Sequence, residues 1–408
     1  VDRIKVLDNQ PKTAPKGIVP ILLAVIPFSQ IPLDAYTPAL PRMVTDFATT
    51  PAAVQNTVTA YMLGMSLALI PMGMLADSVG RKPVLLGGMA LLVVMSIACV
   101  FAPSIDMLLA DRFVQGAGGC TCLVVTYAIA ADCFRGARLT AISGLLGASW
   151  GLAPVLAPAA GGLLVEYIGW RGIFGAIAAA ATVVLLIAAL RLPETLPQDR
   201  RTPMRLGATV VAIARALRDR RFIAFTCVFG VMASAQMVFG VVAPFLYQKR
   251  LGLTPVGYGL VALLLGGVNL IGELGCSGLA QRVRPAFLAF GTLLPYGLGA
   301  LILLATGLLA TPRFLPVTLG GALVLGACGL LCPMMYGMAL GLFERDLGLI
   351  GGLVSAICYL CVSATMAAAA LLPDDSQAPL GALYLVLGGL GALLLGWAML
   401  PRRRRDGV

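Results

Sequence analysis

The sequence predicts an all-α membrane protein of twelve transmembrane helices arranged as two pseudosymmetric six-helix bundles, and three observations predict it. First, 59% of the 408 residues are apolar and only 12% are charged, about half the charge of a soluble domain, with a mean hydropathy of +0.95. Too little polar material remains to coat a globule of this size, which excludes an ordinary soluble enzyme and a disordered chain. Second, the apolar letters fall into twelve runs, each near the roughly 20 residues that a helix needs to cross hydrocarbon. Third, the basic residues gather in alternate gaps between those runs, as loops on one side of a membrane require.

Taken in order, span one (18–40) follows Lys16 and stops before Arg42, and span two (53–75) follows Pro51 and stops before Asp77. Span three (84–102) begins after Arg81, Lys82 and Pro83 and ends at Pro103, while span four (105–131) begins after Ser104 and ends at Asp132. Span five (139–165) lies between Arg138 and Glu166, and span six (170–190) between Gly169 and Arg191. Span seven (222–246) stops short of Lys249 and Arg250, and span eight (256–280) runs from Pro255 to the basic turn at Arg282. Spans nine to twelve (286–309, 315–341, 347–372 and 380–400) are separated by Arg313, by Arg345 and by Pro373 with two aspartates. One gap is long: residues 191–221 hold eight arginines and no long apolar run. The expected organisation is an N-terminal bundle (1–190), a cytoplasmic linker (191–221) and a C-terminal bundle (222–408).

With the N-terminus inside, all but six of the 29 lysines and arginines face the cytoplasm. Arg42, Arg171, Lys249, Arg250 and Arg313 fall outside, and Arg112 alone lies within a span. The expected topology is multi-pass with both termini cytoplasmic, in a bacterial inner membrane. The net charge of +11 is then spread over loops that face anionic lipid, which excludes nucleic acid as its reason. No histidine occurs, so imidazole serves neither as proton relay nor as metal ligand. The ten cysteines lie mostly in apolar runs, so neither a disulfide framework nor a metal cluster is expected, and Cys358-x-x-Cys361 reads as a helix face. The stretch from Val1 to Lys16 is polar, so no cleavable signal peptide is expected.

The halves echo each other. Leu75-to-Pro83 (LADSVGRKP) between spans two and three is answered by Leu279-to-Pro285 (LAQRVRP) between spans eight and nine, about half the chain later. A duplicated six-span unit suits a transporter, because a central site between two bundles opens to either side when they rock.

Gly73-to-Lys82 (GMLADSVGRK) resembles motif A of the major facilitator superfamily, Arg112-to-Gly116 (RFVQG) its motif B, and Pro158-to-Gly162 (PAAGG) the end of its motif C, the antiporter motif. Ala157 stands where motif C usually has glycine. Leu192-to-Thr195 (LPET) closes span six as in many drug exporters, and Leu33-to-Pro41 (LDAYTPALP) is similar to the Bcr/CflA-type drug:proton antiporters. The resemblance implies the fold of that superfamily and proton-coupled drug efflux.

The motifs also have local readings. Gly80 permits the turn after span two, and Arg81 and Lys82 anchor at headgroups. Asp77 is attracted to the partially positive start of span eleven, which makes Gly73, Asp77, Gly80, Arg81 and Lys82 a conformational latch; anchoring by the basic pair alone is the alternative. Pro154, Pro158, Gly161 and Gly162, with Gly144, Gly147 and Gly151, give span five kinks and small-residue faces that seal the halves, unless they are generic packing.

Ionisable groups inside spans face a cavity or a partner. Asp34 lies about 9 Å from the external end of span one and Arg112 about 10 Å from that of span four. An Asp–Arg pair at one depth that closes when dry and parts when a cavity opens couples proton uptake to conformation; a fixed ionised pair, a cap at the external end of span one, or Asp111 as the partner of Arg112 are the alternatives. Glu273, about 13 Å from the cytoplasmic end of span eight, is either a second protonation or cation site or a tie between helices. Gln30, Tyr61, Tyr127, Gln236, Phe239, Asn269, Met335 and Tyr359 supply the amides, rings and thioethers that suit lipophilic molecules of varied shape.

The expected function is a proton-coupled multidrug efflux transporter, a monomer in the lipid bilayer that exchanges protons for lipophilic drugs, with no cofactor, no metal and no enzymatic activity. No phosphate-cradling loop or nucleophile–base pair is present in the sequence. The alternatives are an exporter of a native metabolite such as a siderophore or amino acid and, from another class, a membrane receptor or scaffold.

Overall fold

A computed structural model describes residues 17–201, 206–279, 282–309, 312–343, 347–373 and 376–399. The basic N-terminal tail, Arg205, Arg345, Arg402 to Arg405 and the pair 280–281 of the repeated turn lie outside the described residues. The helices are α1 (Ile18–Asp46), α2 (Pro51–Val79), α3 (Arg81–Phe101), α4 (Ile105–Cys133), α5 and α6 (together Gly136–Arg191, divided at Gly169), α7 (Arg220–Arg250), α8 (Pro255–Leu279), α9 (Pro285–Leu309), α10 (Phe314–Leu340), α11 (Leu347–Ala369) and α12 (Ala378–Met399). A short linker helix, Leu206–Ala216, precedes α7.

Several boundaries follow from local chemistry. Thr50 caps α2 by accepting from Ala53 N at 3.2 Å, with Pro51 at the first helical position, and Ser104 caps α4 by accepting from Met107 N at 3.3 Å. Both use a side-chain oxygen to satisfy a donor that the helix start leaves free.

Spans five and six form one 56-residue helical stretch broken at Gly169, which has φ 69° and ψ 177°. A straight helix of that length would run about 84 Å, far beyond about 30 Å of hydrocarbon. The contacts show the reversal: Arg171 Nη2 donates to Ala102 O at the end of α3, and Ala189 O, 18 residues later, accepts from Lys82 Nζ at its start. Gly169 carries no Cβ, so it takes the positive φ that the turn needs. Trp170 Nε1 pins the turn by donating to Asp46 Oδ2 at 2.8 Å.

Span one is longer than its apolar run and is not one helix. It alternates α-turns with 3₁₀ turns at Ile26–Ser29 and Thr37–Ala39, because Pro27, Pro32, Pro38 and Pro41 each lack the N–H that a continuous helix requires.

Contacts within each half repeat: α4 packs on α2 and α3, as α10 packs on α8 and α9. The halves meet through α2 against α11 and α5 against α8, a pair of contacts that exchange when the halves are interchanged. Large apolar side chains such as Tyr167, Leu190 and Leu309 are more than 80% exposed, as side chains that contact hydrocarbon must be.

Candidate functional site: the cavity on the seam

The seam between the halves encloses a cavity of about 80 Å³ lined by Asp34 and Thr37 of α1, Pro154 and Pro158 of α5, Gln236 and Phe239 of α7, and Tyr258 and Asn269 of α8. Drug-sized ligands occupy clefts of roughly 300–1,000 Å³. The cavity as it stands has room for water-sized species only.

Asp34 reaches this cavity because the proline-broken backbone of α1 turns its side chain there. The residue is 9% exposed, and its Oδ2 is buried without a hydrogen-bond partner. A charge in such a place is costly unless it is paired or neutralised.

Arg112 does not pair with Asp34: among the described residues no ion pair joins them. The guanidinium is fully buried between two rings, 4.6 Å from the centroid of Tyr36 and 4.4 Å from that of Tyr61. Ring faces attract a cation without saturating its donors. Nη1 donates to Gln115 Oε1, Gln115 Nε2 donates to Ser96 Oγ at 2.7 Å, and Nε and Nη2 are left with no acceptor in hydrogen-bond geometry. The cage is itself anchored, since Tyr36 Oη shares a 2.8 Å hydrogen bond with Thr57 and Tyr61 Oη donates to the Ser29 carbonyl, which the break in α1 exposes. Asp111 makes no ion pair with Arg112 either, and its Oδ2 is also unpartnered.

Glu273 lies one turn from the cavity wall. Asn269 Nδ2 donates to Glu273 Oε1 at 2.9 Å, and Asn269 itself lines the cavity. A Cβ at Gly151 of α5 would stand 3.4 Å from Glu273 Oε2, so the carboxylate abuts the other half. The i,i+4 spacing of this pair was visible in the sequence, whereas Thr37 and Tyr258 carried no signal that distinguished them from packing residues.

Of the other predicted binding residues, Gln236 and Phe239 line the cavity and Gln30, Tyr61, Tyr127, Met335 and Tyr359 do not. Tyr61 belongs to the arginine cage, Gln30 is buried with its Oε1 unpartnered, and Met335 is fully buried in the core.

The motif A residues form a second cluster. Arg81 pairs with Asp77 at 2.5 Å and with Asp132 of α4 at 3.0 Å, and Thr195 donates to the same Asp132 oxygen. Glu194 accepts from the backbone N–H groups of Arg81 and Lys82, at 3.0 and 3.3 Å, so it caps α3 from 113 residues away. Gly80 has φ 125°, and a Cβ there would lie 2.5 Å from Glu194 Oε2. Among the described residues these partners all belong to the N-terminal half and its exit segment. Among the described residues Asp77 pairs with Arg81; the segment 344–346 that leads into α11, where its expected attachment falls, lies outside them. Gly73 makes ordinary contact with Val124. Glu194→Ala removes both acceptors and an anion at a helix N-terminus, so it is expected to cost about 1–2 kcal/mol. Denaturation of the purified protein measures this; an unchanged midpoint would mean that water replaces the cap.

Motif C packs in two directions. A Cβ at Gly161 would lie 1.6 Å from Ala35 O of α1, and one at Gly162 would lie 2.6 Å from Pro255 O of α8. The predicted small-residue face is narrower than all the glycines of span five, since a Cβ at Gly144 would meet nothing within 4 Å. Cys361 packs against Gly230, as its helix-face reading requires.

The Major Facilitator Superfamily profile matches residues 23–314. The chain belongs to that superfamily. Its fold is shared with a D-xylose-proton symporter, at TM-score 0.74 and 12% identity over 94% of this chain and 96% of the other. It is shared equally with a POT family transporter in complex with a thioalcohol-conjugated peptide, at TM-score 0.74 and 16% identity over 93% and 95%. In sequence it is similar to an uncharacterized MFS-type transporter, YdgK, of Bacillus subtilis (strain 168), 31% identical over 60% of this chain and 62% of that one. It is also similar to an uncharacterized transporter of Rickettsia bellii (strain RML369-C), 28% identical over 90% and 93%. The multidrug resistance protein MdtL of Salmonella heidelberg (strain SL476) is 30% identical over 59% and 60%. The chain thus spans about three fifths of the length of YdgK and of MdtL. The family points to a transporter rather than an enzyme.

Proposed function

We propose that this superfamily member is a proton-coupled exporter of lipophilic drugs of the Bcr/CflA type, in a bacterial inner membrane with both termini cytoplasmic. The observation that carries the reading is Asp34: a buried carboxylate without an ion-pair partner, in a cavity on the seam between two bundles. Held so, a carboxylate is stabilised by a proton or by a cation that enters the cavity, and the two exclude each other. Exchange of proton for drug follows if the bundles, 1–190 and 222–408 joined by 191–221, rock so that the cavity opens to one side at a time. Arg112, whose Nε and Nη2 face the cage rings with no acceptor in hydrogen-bond geometry, is the group that Asp34 gains when α1 shifts. Asp77, half exposed, remains available to a second partner on α11 as the halves move, with Gly73, Gly80, Arg81 and Lys82 shaping that turn. The similarity to MdtL supports drugs as substrates.

The test is made in proteoliposomes with a fluorescent proton indicator. Addition of a lipophilic drug should release protons; no release with any drug while a metabolite drives it would overturn the reading in favour of metabolite export. Glu273→Gln, measured for one cationic and one neutral drug from about pH 5 to about pH 8, should weaken the cation alone, because protonation or neutralisation of a carboxylate removes its attraction for a cation. Equal loss for both drugs would make the Asn269–Glu273 pair a tie between helices.

A further inference from the structure

On the lipid-facing side of the C-terminal half, α8, α9 and α10 leave a groove of about 420 Å³ that is open along one side. Its walls are apolar: Val268 of α8, Val283 and Phe287 at the start of α9, and Ala322 and Leu330 of α10. The one hydroxyl, Thr292, is turned inward and donates to Leu288 O at 2.7 Å. Gly291 deepens the groove, since a Cβ there would meet nothing within 4 Å. From the start of α9 at Pro285 to Pro295 the groove follows the helix for about 15 Å, a length and an apolar lining that suit an extended hydrocarbon chain.

Two cations adjoin one end of the groove in the chain: Arg282 and Arg284, both exposed, flank the lining residue Val283, and no carboxylate lines the groove. An apolar slot that ends beside two basic residues matches an acyl chain with an anionic headgroup. The geometry points to a binding site for one anionic phospholipid, with an acyl chain along α9 and the phosphate at Arg282 and Arg284. The site has a structural consequence, because the groove backs the contact between α8 and α10. A Cβ at Gly272 would strike Gly326 O, and one at Gly329 would strike Asn269 O. A chain in the groove therefore braces α8 behind the Asn269–Glu273 pair. This site stands whatever the transported molecule is.

The full chain, purified and delipidated, is titrated with dioleoylphosphatidylglycerol, dioleoylphosphatidylcholine or inorganic phosphate, and bound lipid is read by native mass spectrometry. Phosphatidylglycerol is expected to bind about 30-fold more tightly than phosphatidylcholine, the effect of two basic side chains at an anionic headgroup, and phosphate is expected not to displace it. Arg282→Gln with Arg284→Gln should reduce phosphatidylglycerol to the phosphatidylcholine level. Gly291→Leu fills the open space, replaces a poor helix former with a good one, and should abolish binding of both lipids while the melting curve stays intact. Wild-type binding by the double glutamine variant, wild-type binding by Gly291→Leu, or equal affinity for the two lipids would each overturn the proposal.

Discussion

Asp34→Asn is expected to reduce uphill substrate movement under a pH gradient to the level of empty vesicles, while the protein remains folded in the membrane. The carboxylate has no ion pair to lose, and its Oδ2 has no hydrogen-bond donor. The amide is isosteric and removes a buried charge, so stability should change by less than about 1 kcal/mol or rise slightly. Coupling is a different matter. An amide neither takes up nor releases a proton, so the cavity would lose the exchange between proton and guest on which antiport rests. Drug binding and downhill movement separate this from misfolding, because both persist in a folded carrier that has lost only its proton site. Undiminished uphill transport by Asp34→Asn would remove Asp34 from the mechanism.

The spans were legible in the sequence because hydrocarbon imposes a length, whereas the caps at Thr50 and Ser104 emerge from the structure. The course of α1 was not legible either. Its prolines are plain to read, but whether they kink a helix or divide it into 3₁₀ and α-turns depends on what satisfies the released carbonyls, and Tyr61 on α2 does so for Ser29. The same limit applies to the site. Asp34, Gln236, Phe239 and Asn269 reach the cavity as single residues chosen for their chemistry. The pairing of Asp34 with Arg112 was inferred from equal depth, and depth leaves the rotation of each helix undetermined; the guanidinium turned to Tyr36 and Tyr61 instead. The cap that Glu194 places on α3 joins segments 113 residues apart, and neither segment contains a signal that names the other.

Gly161 and Gly162 are neighbours in sequence whose substitution should fail in different ways. A Cβ at Gly161 overlaps the backbone of Ala35, and backbone, unlike a flexible side chain, cannot swing aside. Gly161→Ala must therefore push α5 from α1 inside one bundle, at a cost beyond the usual 1–3 kcal/mol of overpacking. The expected result is little folded protein in the membrane. A Cβ at Gly162 meets Pro255 O at 2.6 Å across the seam, so Gly162→Ala strains a contact that alternating access would break in any case. Each bundle keeps its own packing. The expected result is normal membrane abundance with the seam between α5 and α8 loosened, read as faster labelling of a cysteine introduced at Ala159, which packs against Gly259 of α8. Wild-type labelling in Gly162→Ala together with wild-type abundance in Gly161→Ala would show that the motif C glycines are generic packing residues, and would remove the distinction between a fold contact and a gate contact that the two directions of packing imply.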